Sequence, residues 1–143
     1  MTEPATGAHE TYRATVAWDG NREDLRAHTI TLADQAVAGS TAPERGGDPA
    51  KADPEQLLVA AASACHMLWF LDFARRERLR VVSYEDEAEG VMDSRRFVRV
   101  VLRPAIEFEH EPDAELLSQL HDRAHEACFI ANSLNCPVEV EAR

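Results

Sequence analysis

The length, composition and charge of the chain restrict what it can be. Its 143 residues fit one domain with a real apolar core, and we expect a single domain spanning residues 1–143. With 45% hydrophobic and 29% charged residues, the composition is typical of a soluble globular protein. The net charge of −11 repels phosphate backbones and acidic lipid headgroups, so neither nucleic acid nor membrane is expected as a partner.

The N-terminal segment "MTEPATGAHE" has neither a basic leader nor an apolar stretch, so we expect a cytoplasmic protein. The weakly polar run from Leu57 to Phe73 is interrupted by polar residues and is shorter than the roughly 20 apolar residues of a membrane span, so it predicts a buried helix. The cysteines Cys65, Cys128 and Cys136 are too few for a disulfide scaffold and contain no CxxC pair. They should be thiols unless chemistry oxidises them.

The first third of the chain predicts strands followed by a long loop. Residues 11–18 alternate in polarity, "DGNRED" supplies a turn, and "LRAHTITLAD" resumes a strand pattern, which together predict a hairpin. A third strand is predicted at "QAVAG". The segment "STAPERGGDPAKADP" then concentrates proline, glycine and charge in a loop, and ordered loops of that length are often functional.

A helix is predicted from Asp53 as N-cap to about Arg78, with Pro54 at its first position and Gln56 completing a capping box. Two long strands follow, "RVVSYEDEAEGVM" and "RFVRVVLRPAIEFE". They are joined by a turn at residues 93–94, and Pro104 marks an edge or a bulge.

A second helix is predicted to start near Pro112 or Asp113, and "CPVEVEAR" closes the chain as a short strand. The order is therefore βββ-α-ββ-α-β. The apolar face of this helix has helical spacing and comprises Leu116, Leu117, Leu120, Ala124, Ala127, Cys128 and Ala131.

Two cysteines fall on the inward faces of two different predicted helices. Cys65 belongs to the helical set Leu58, Ala61, Ala62, Cys65, Leu68 and Trp69. Taken alone, either cysteine would be interpreted as a packing residue, because free cysteine usually behaves as a small buried hydrophobe. Their occurrence on two helices is what favours a reactive pair, since a shared core could bring the sulfurs together.

The segment "DPEQLLVAAASAC" resembles the signature of the OsmC/Ohr family of thiol peroxidases, and "AHEACFIANSLNCPVEVE" is similar to the family's second-cysteine helix and last strand. By this resemblance Cys65 matches the peroxidatic cysteine, Cys128 the resolving cysteine, and Glu55 the acidic residue of the first motif. Arg45, ten residues before Glu55, has the spacing of the family's active-site arginine. A cation beside Cys65 would lower its pKa and steady the leaving oxygen of a peroxide, and Glu55 could hold the guanidinium through a bidentate pair.

The resemblance implies an α+β fold: a bent antiparallel sheet with two helices, in an intertwined homodimer. It also implies reduction of organic hydroperoxides, or of hydrogen peroxide, with an external dithiol, such as a dihydrolipoyl protein, as reductant. No metal or organic cofactor is required. The alternative is a noncatalytic binding protein of the same fold, which two departures from the family pattern favour: His66 directly after Cys65, and Phe129 where a proline is common. A third, Asp53 for the usual asparagine, caps equally well.

A distance suggests that the site is shared between subunits. On one continuous helix, Glu55 and Cys65 are about 15 Å apart at 1.5 Å per residue, which is too far for Glu55 to orient an arginine at the sulfur of its own chain. We therefore expect Arg45 and Glu55 of one subunit to lie beside Cys65 of the other.

Three further features have alternative interpretations. His121, His125 and Cys128 have a spacing that could ligate zinc, but no further ligand is evident, and we expect exposed histidines beside a buried thiol. His66 points about 100° away from Cys65 on a helix, which favours a packing or interface role over a base for that thiol. Cys136 is interpreted as structural, although its closeness in sequence to Cys128 leaves it open as the partner in an alternative disulfide.

Overall fold

The computed structural model describes Gly7 and residues 9–143. Most of the segment "MTEPATGAHE", on which the expectation about export was based, lies outside the described residues. The chain divides into two compact units, Thr2–Leu57 and Leu58–Arg143, with the boundary in the first turn of a long helix.

The first unit contains a three-stranded antiparallel sheet, as predicted. Its strands are β1 (Thr15–Ala17), β2 (His28–Leu32) and β3 (Gln35–Gly39), in the order β1-β2-β3. The loop after β3 contains a 3₁₀ turn at Pro43–Arg45 and returns to the sheet, where the amide of Ala52 donates to the carbonyl of Ala38.

The long helix α1 (Pro54–Arg76) starts where the sequence predicts and ends two residues early. The amide of Gln56 donates to the Asp53 carboxylate, and the amide of Asp53 donates to the Gln56 side chain, so the capping box is formed. Arg78 has a left-handed backbone (φ 59°), and the amide of Leu79 bonds back to the carbonyl of Ala74, which closes the last turn.

By length and composition alone, α1 could cross a membrane, although the sequence pattern had suggested that this run was too short. Core helices of soluble proteins can be equally long and apolar. One face of α1 packs into the apolar core of the second unit, where its buried side chains are Ala62, His66, Trp69, Phe70, Asp72, Phe73 and Ala74. The mixture of polar and apolar residues on this face fits a core helix.

Each of the two predicted long strands is divided in two. The structure has β4 (Val81–Asp86), β5 (Glu89–Met92), β6 (Phe97–Leu102) and β7 (Pro104–Phe108), with β4 paired to β7 and β5 to β6. The Asp86 carboxylate explains the change of partner. It accepts the backbone N–H of Arg103 at 2.6 Å and the Ser63 hydroxyl at 2.5 Å, so it satisfies a donor at the point where the ladder breaks.

The helices and the strand after β7 also differ from the predicted pattern. The predicted second helix is α2 (Ala114–Ala127), capped by the Asp113 carboxylate, followed by α3 (Phe129–Ser133). Strand β8 (Val138–Val140) pairs with β6 in parallel, so this sheet is mixed, whereas a purely antiparallel sheet was expected. The α+β class is as predicted.

Candidate active site

Cys65 lies at the edge of the buried face of α1. Ala62 and Trp69, three residues before it and four after it, are each 1% exposed, whereas Cys65 itself is half-buried and Leu68 is exposed. Cys65 packs against the core cluster that contains Cys128. Its thiol is therefore anchored by the core and still reachable from solvent.

Cys128 lies at the joint between α2 and α3, where the sequence had predicted one continuous helix. Its backbone is extended (φ −65°, ψ 111°), which ends α2, and its sulfur accepts the amide of Ala131 at 3.4 Å as the N-cap of α3. The side chain is 1% exposed. The helix breaks here because the thiol replaces a backbone acceptor at the start of a new turn.

The two sulfurs are close enough to influence each other. Burial raises the pKa of the Cys128 thiol to about 11; the amide of Ala131 opposes this rise, and the side chain of Cys65 adds to it by a hydrogen bond and by charge. Cys128 is therefore protonated at neutral pH and shielded from solvent. A solvent-borne oxidant can reach Cys65 but not Cys128.

Two aromatic rings follow the cysteines closely in the sequence and pack against each other. Trp69, one turn after Cys65, packs edge-on against Phe129, which directly follows Cys128, with ring centroids 5.5 Å apart. Trp69 is buried, but Phe129 is 46% exposed. The residue that departs from the family pattern thus presents an apolar surface next to the buried thiol.

Arg45 and Glu55 form an ion pair in the first unit. Nη2 of Arg45 donates to Oε1 of Glu55 at 2.5 Å, while Oε2 of Glu55 has no hydrogen-bond partner among the described residues. The pair thus has one contact where a bidentate pair was expected. Amides of Arg45 and Gly47 both donate to the carbonyl of Ala42, which fixes the backbone of the turn that carries the arginine.

This turn has no room for a side chain at Gly47. A Cβ atom there would lie 1.6 Å from the carbonyl oxygen of Thr41. The close approach of the two backbone segments therefore requires glycine.

The expectation that His121 is exposed was wrong. It is only 7% exposed and bonds to His66, which is 1% exposed, with Nε2 of His66 3.0 Å from Nδ1 of His121. The sequence held a signal for this burial, because His121 lies between Leu117 and Ala124 on the apolar face of α2. His66 packs as predicted, but its partner could not be identified from the sequence. His125, by contrast, is exposed as expected.

Cys136 is half-buried and packs in a second apolar cluster with Ala62 and Val138. It precedes β8 by two residues, whereas it had been expected to begin that strand. Within residues 9–143, no group of three or more histidine, cysteine or acidic side chains is arranged to hold a metal ion.

Comparisons with known proteins agree on one family. Residues 46–143 match the model of the family described as OsmC-like protein. An OsmC-like protein of unknown function from Vibrio cholerae is 34% identical and has a TM-score of 0.86, over 94% of this chain and all of the other.

Two further proteins are more distant. The uncharacterized protein YmaD of Bacillus subtilis is 24% identical over 87% of this chain and 86% of its own. An organic hydroperoxide resistance protein OsmC from Legionella pneumophila is 20% identical, with a TM-score of 0.70 over 94% of this chain and 96% of its own, and so supports the fold alone.

Proposed function

Because the chain belongs to the OsmC-like family, we propose that it is a cysteine-based peroxidase that reduces organic hydroperoxides. The wider OsmC/Ohr family includes organic hydroperoxide resistance proteins, which supports a redox role at the level of the family. The observation that carries the proposal is the unequal environment of two interacting thiols: Cys65 is accessible, and Cys128 is buried against it.

This asymmetry supports a different role for each cysteine. The Cys65 thiolate attacks the O–O bond of the hydroperoxide, which breaks; an alcohol leaves after protonation, and Cys65 becomes a sulfenic acid. Cys128 then attacks that sulfur. Its proton and the sulfenic hydroxyl leave as water, and a Cys65–Cys128 disulfide forms. The amide of Ala131 supports this attack, because it donates to the Cys128 sulfur and favours the thiolate.

An external dithiol restores the two thiols and is itself oxidised to a disulfide, and a dihydrolipoyl protein is one such reductant. The cycle needs neither a metal nor an organic cofactor. We propose that it operates in the cytoplasm, where thiols are kept reduced. The exposed ring of Phe129 supports an organic substrate, because it offers apolar contact to an alkyl or aryl group.

Arg45 and Glu55 are proposed to complete the site as part of a homodimer. In this proposal the guanidinium of one subunit stabilises the Cys65 thiolate of the other and the oxygen that leaves the peroxide, and Glu55 orients the guanidinium through the ion pair described above.

Titration with cumene hydroperoxide tests the catalytic proposal. The reduced protein has three free thiols, and one equivalent of peroxide should consume two of them. Cys65→Ser should abolish the loss, whereas Cys136→Ser should still lose two thiols. An unchanged thiol count in the wild-type protein would instead identify a binding protein that holds an apolar molecule without reacting.

Mixing two inactive variants tests the shared site. Arg45→Ala should strongly reduce turnover and Cys65→Ser should abolish it. Refolded together at equal concentrations, the chains should regain about a quarter of wild-type activity, because half of the dimers are mixed and each has one intact site. Arg22→Ala, at an exposed position, is the matched control and should remain active. Verified heterodimers without turnover, or a monomeric protein, would refute the shared site.

A further inference from the structure

The buried histidine pair connects the two helices that carry the cysteines. His66 directly follows Cys65 on α1, and His121 on α2 precedes Cys128, the C-cap of that helix, by seven residues, or about two helical turns. The hydrogen bond between the histidines is 3.0 Å long, and their ring planes are within 7° of parallel. The hydrogen bond therefore joins α1 and α2 one residue after Cys65 and about two helical turns before Cys128.

Within residues 9–143, the histidine bond is the buried hydrogen bond between these helices; at their far end, Arg123 of α2 lies over the ring of Phe73, 4.4 Å from its centroid, and bonds to Glu77 just beyond α1. The core cluster that the two helices share is apolar and includes Trp69, Phe70, Leu120 and Ala124. The ring of Phe70 also lies 4.6 Å from that of His121, so two residues of α1 contact this imidazole. Apolar packing tolerates small shifts of one helix along another, but a short hydrogen bond between two rings fixes their register.

Stability alone does not account for a histidine pair at this buried position. Nδ1 of His66 and Nε2 of His121 are buried and have no hydrogen-bond partner in the part of the chain that the structure describes. In either tautomeric arrangement of two neutral rings, one end of the pair is then an unpaired donor and the other an unpaired acceptor. Because unpaired buried polar groups are costly, two apolar side chains would be expected to stabilise the core at least as well.

We propose that the His66–His121 hydrogen bond is a positioning device that holds α1 and α2 in the register in which Cys65 and Cys128 can form a disulfide. This inference rests on the proposed function, since it concerns the same two thiols. The histidines act through the helices, and neither has to touch the substrate.

Burial, more than the charged neighbours, favours the neutral state of the histidine pair. Burial lowers the pKa of His66 to about 4, and the nearby His121 and His125 contribute to the decrease. Burial also lowers the pKa of His121, against a smaller opposing effect of Asp122 on the same helix. The hydroxyl of Tyr84, on β4 in the same cluster, is neutral because burial and the carboxylate of Asp86 raise its pKa. At neutral pH both rings are uncharged, so the bond is intact.

Paired substitutions separate hydrogen bonding from packing. His66→Gln with His121→Asn keeps polar atoms near the positions of Nε2 and Nδ1, whereas His66→Leu with His121→Leu removes them. In a Cys136→Ser background, the ratio of disulfide to dithiol is measured in dithiothreitol buffers at pH 7 by alkylation and mass spectrometry. We expect the leucine pair to shift this ratio about tenfold toward the dithiol, and the amide pair to remain near the ratio of the unsubstituted histidines.

The exposed His110→Leu is the control and should leave the ratio unchanged. The inference is overturned if the leucine pair matches the unsubstituted histidines, or if no Cys65–Cys128 disulfide forms in the exchange. The exchange uses no hydroperoxide, so its outcome is independent of the test of catalysis. If the leucine pair shifts the ratio of disulfide to dithiol but the protein does not turn over peroxide, the peroxidase is refuted and the positioning role of the histidines is retained. If the protein turns over peroxide but the ratio does not shift, the peroxidase is retained and the positioning role is refuted.

A measurement without histidine substitutions covers the case in which the leucine pair does not fold. If the bond and the disulfide stabilise each other, the linkage is reciprocal, and disulfide formation must lower the pKa values of the two imidazoles further. NMR titration of the Cys136→Ser protein in its dithiol and disulfide forms measures this directly. Equal histidine pKa values in the two forms would overturn the inference, because a purely structural pair would not respond to the state of the thiols.

Discussion

Serine in place of Cys128 should leave a protein that reacts with hydroperoxide once and then stops. Cys65 remains accessible and should still be oxidised, but the buried thiol that we propose converts its sulfenic acid into a disulfide is absent. We expect one equivalent of peroxide to be consumed per chain, after which turnover falls to background. Intact-mass spectrometry should show one added oxygen atom, and two under excess peroxide as sulfinic acid forms.

Cys136→Ser is the matched control for this experiment. It removes a half-buried thiol from the other apolar cluster and should leave continuous turnover intact. The opposite pattern, in which Cys128→Ser forms a disulfide as readily as the wild type and Cys136→Ser accumulates oxygen, would make Cys136 the true partner of Cys65.

Acid should begin to destabilise the protein above the range in which its carboxylates titrate. The pKa of His66 is about 4 in the folded chain against an ordinary value of 6.5, so the unfolded chain takes up a proton first as the pH falls. The contribution of the neutral His66 to the free energy of unfolding is fully present above pH 6.5. It is lost progressively as the pH falls to 4, by about 3 kcal/mol in total. The lowered pKa of His121 acts in the same direction.

Urea unfolding at pH 7 and at pH 4.5 measures this effect. Between pH 7 and pH 4.5 the wild-type protein should lose most of the contribution that the neutral histidines make to its free energy of unfolding. His66→Gln with His121→Asn should lose much less, because its amides do not titrate. His110→Gln, at an exposed position, should behave as wild type. If the amide pair loses as much stability as the wild type, the buried histidines are not the source of the acid sensitivity.

Local signals in the sequence identified the features that depend on local chemistry. The capping box of Asp53 and Gln56 and the first three strands require only neighbouring residues, and they form as predicted. The motif around Cys65 was specific enough to identify the family, since it combines a capped helix start with a fixed distance to the cysteine. The family and the α+β class could therefore be inferred before the structure was known.

The features that depend on distant partners could not be predicted. The partner of His121 is one of them, because His66 is 55 residues away in the sequence. The break between α2 and α3 depends on the sulfur of Cys128 serving as a cap, a role for which cysteine has no strong sequence preference. The division of the long strands depends on Asp86, whose carboxylate bonds to Arg103 and Ser63 from other elements.

The parallel pairing of β8 with β6 has a consequence for the chain while it is being synthesised. Val100 pairs with Val138, and the intervening chain includes β7, α2 and α3, so β6 leaves the ribosome well before the strand that covers its edge. At 5 to 20 residues per second, that interval is on the order of a few seconds. During it, the segment Phe97–Leu102, whose last three side chains are fully buried in the finished fold, has an unprotected edge. The nascent chain is therefore open to edge-to-edge aggregation at β6 until β8 emerges.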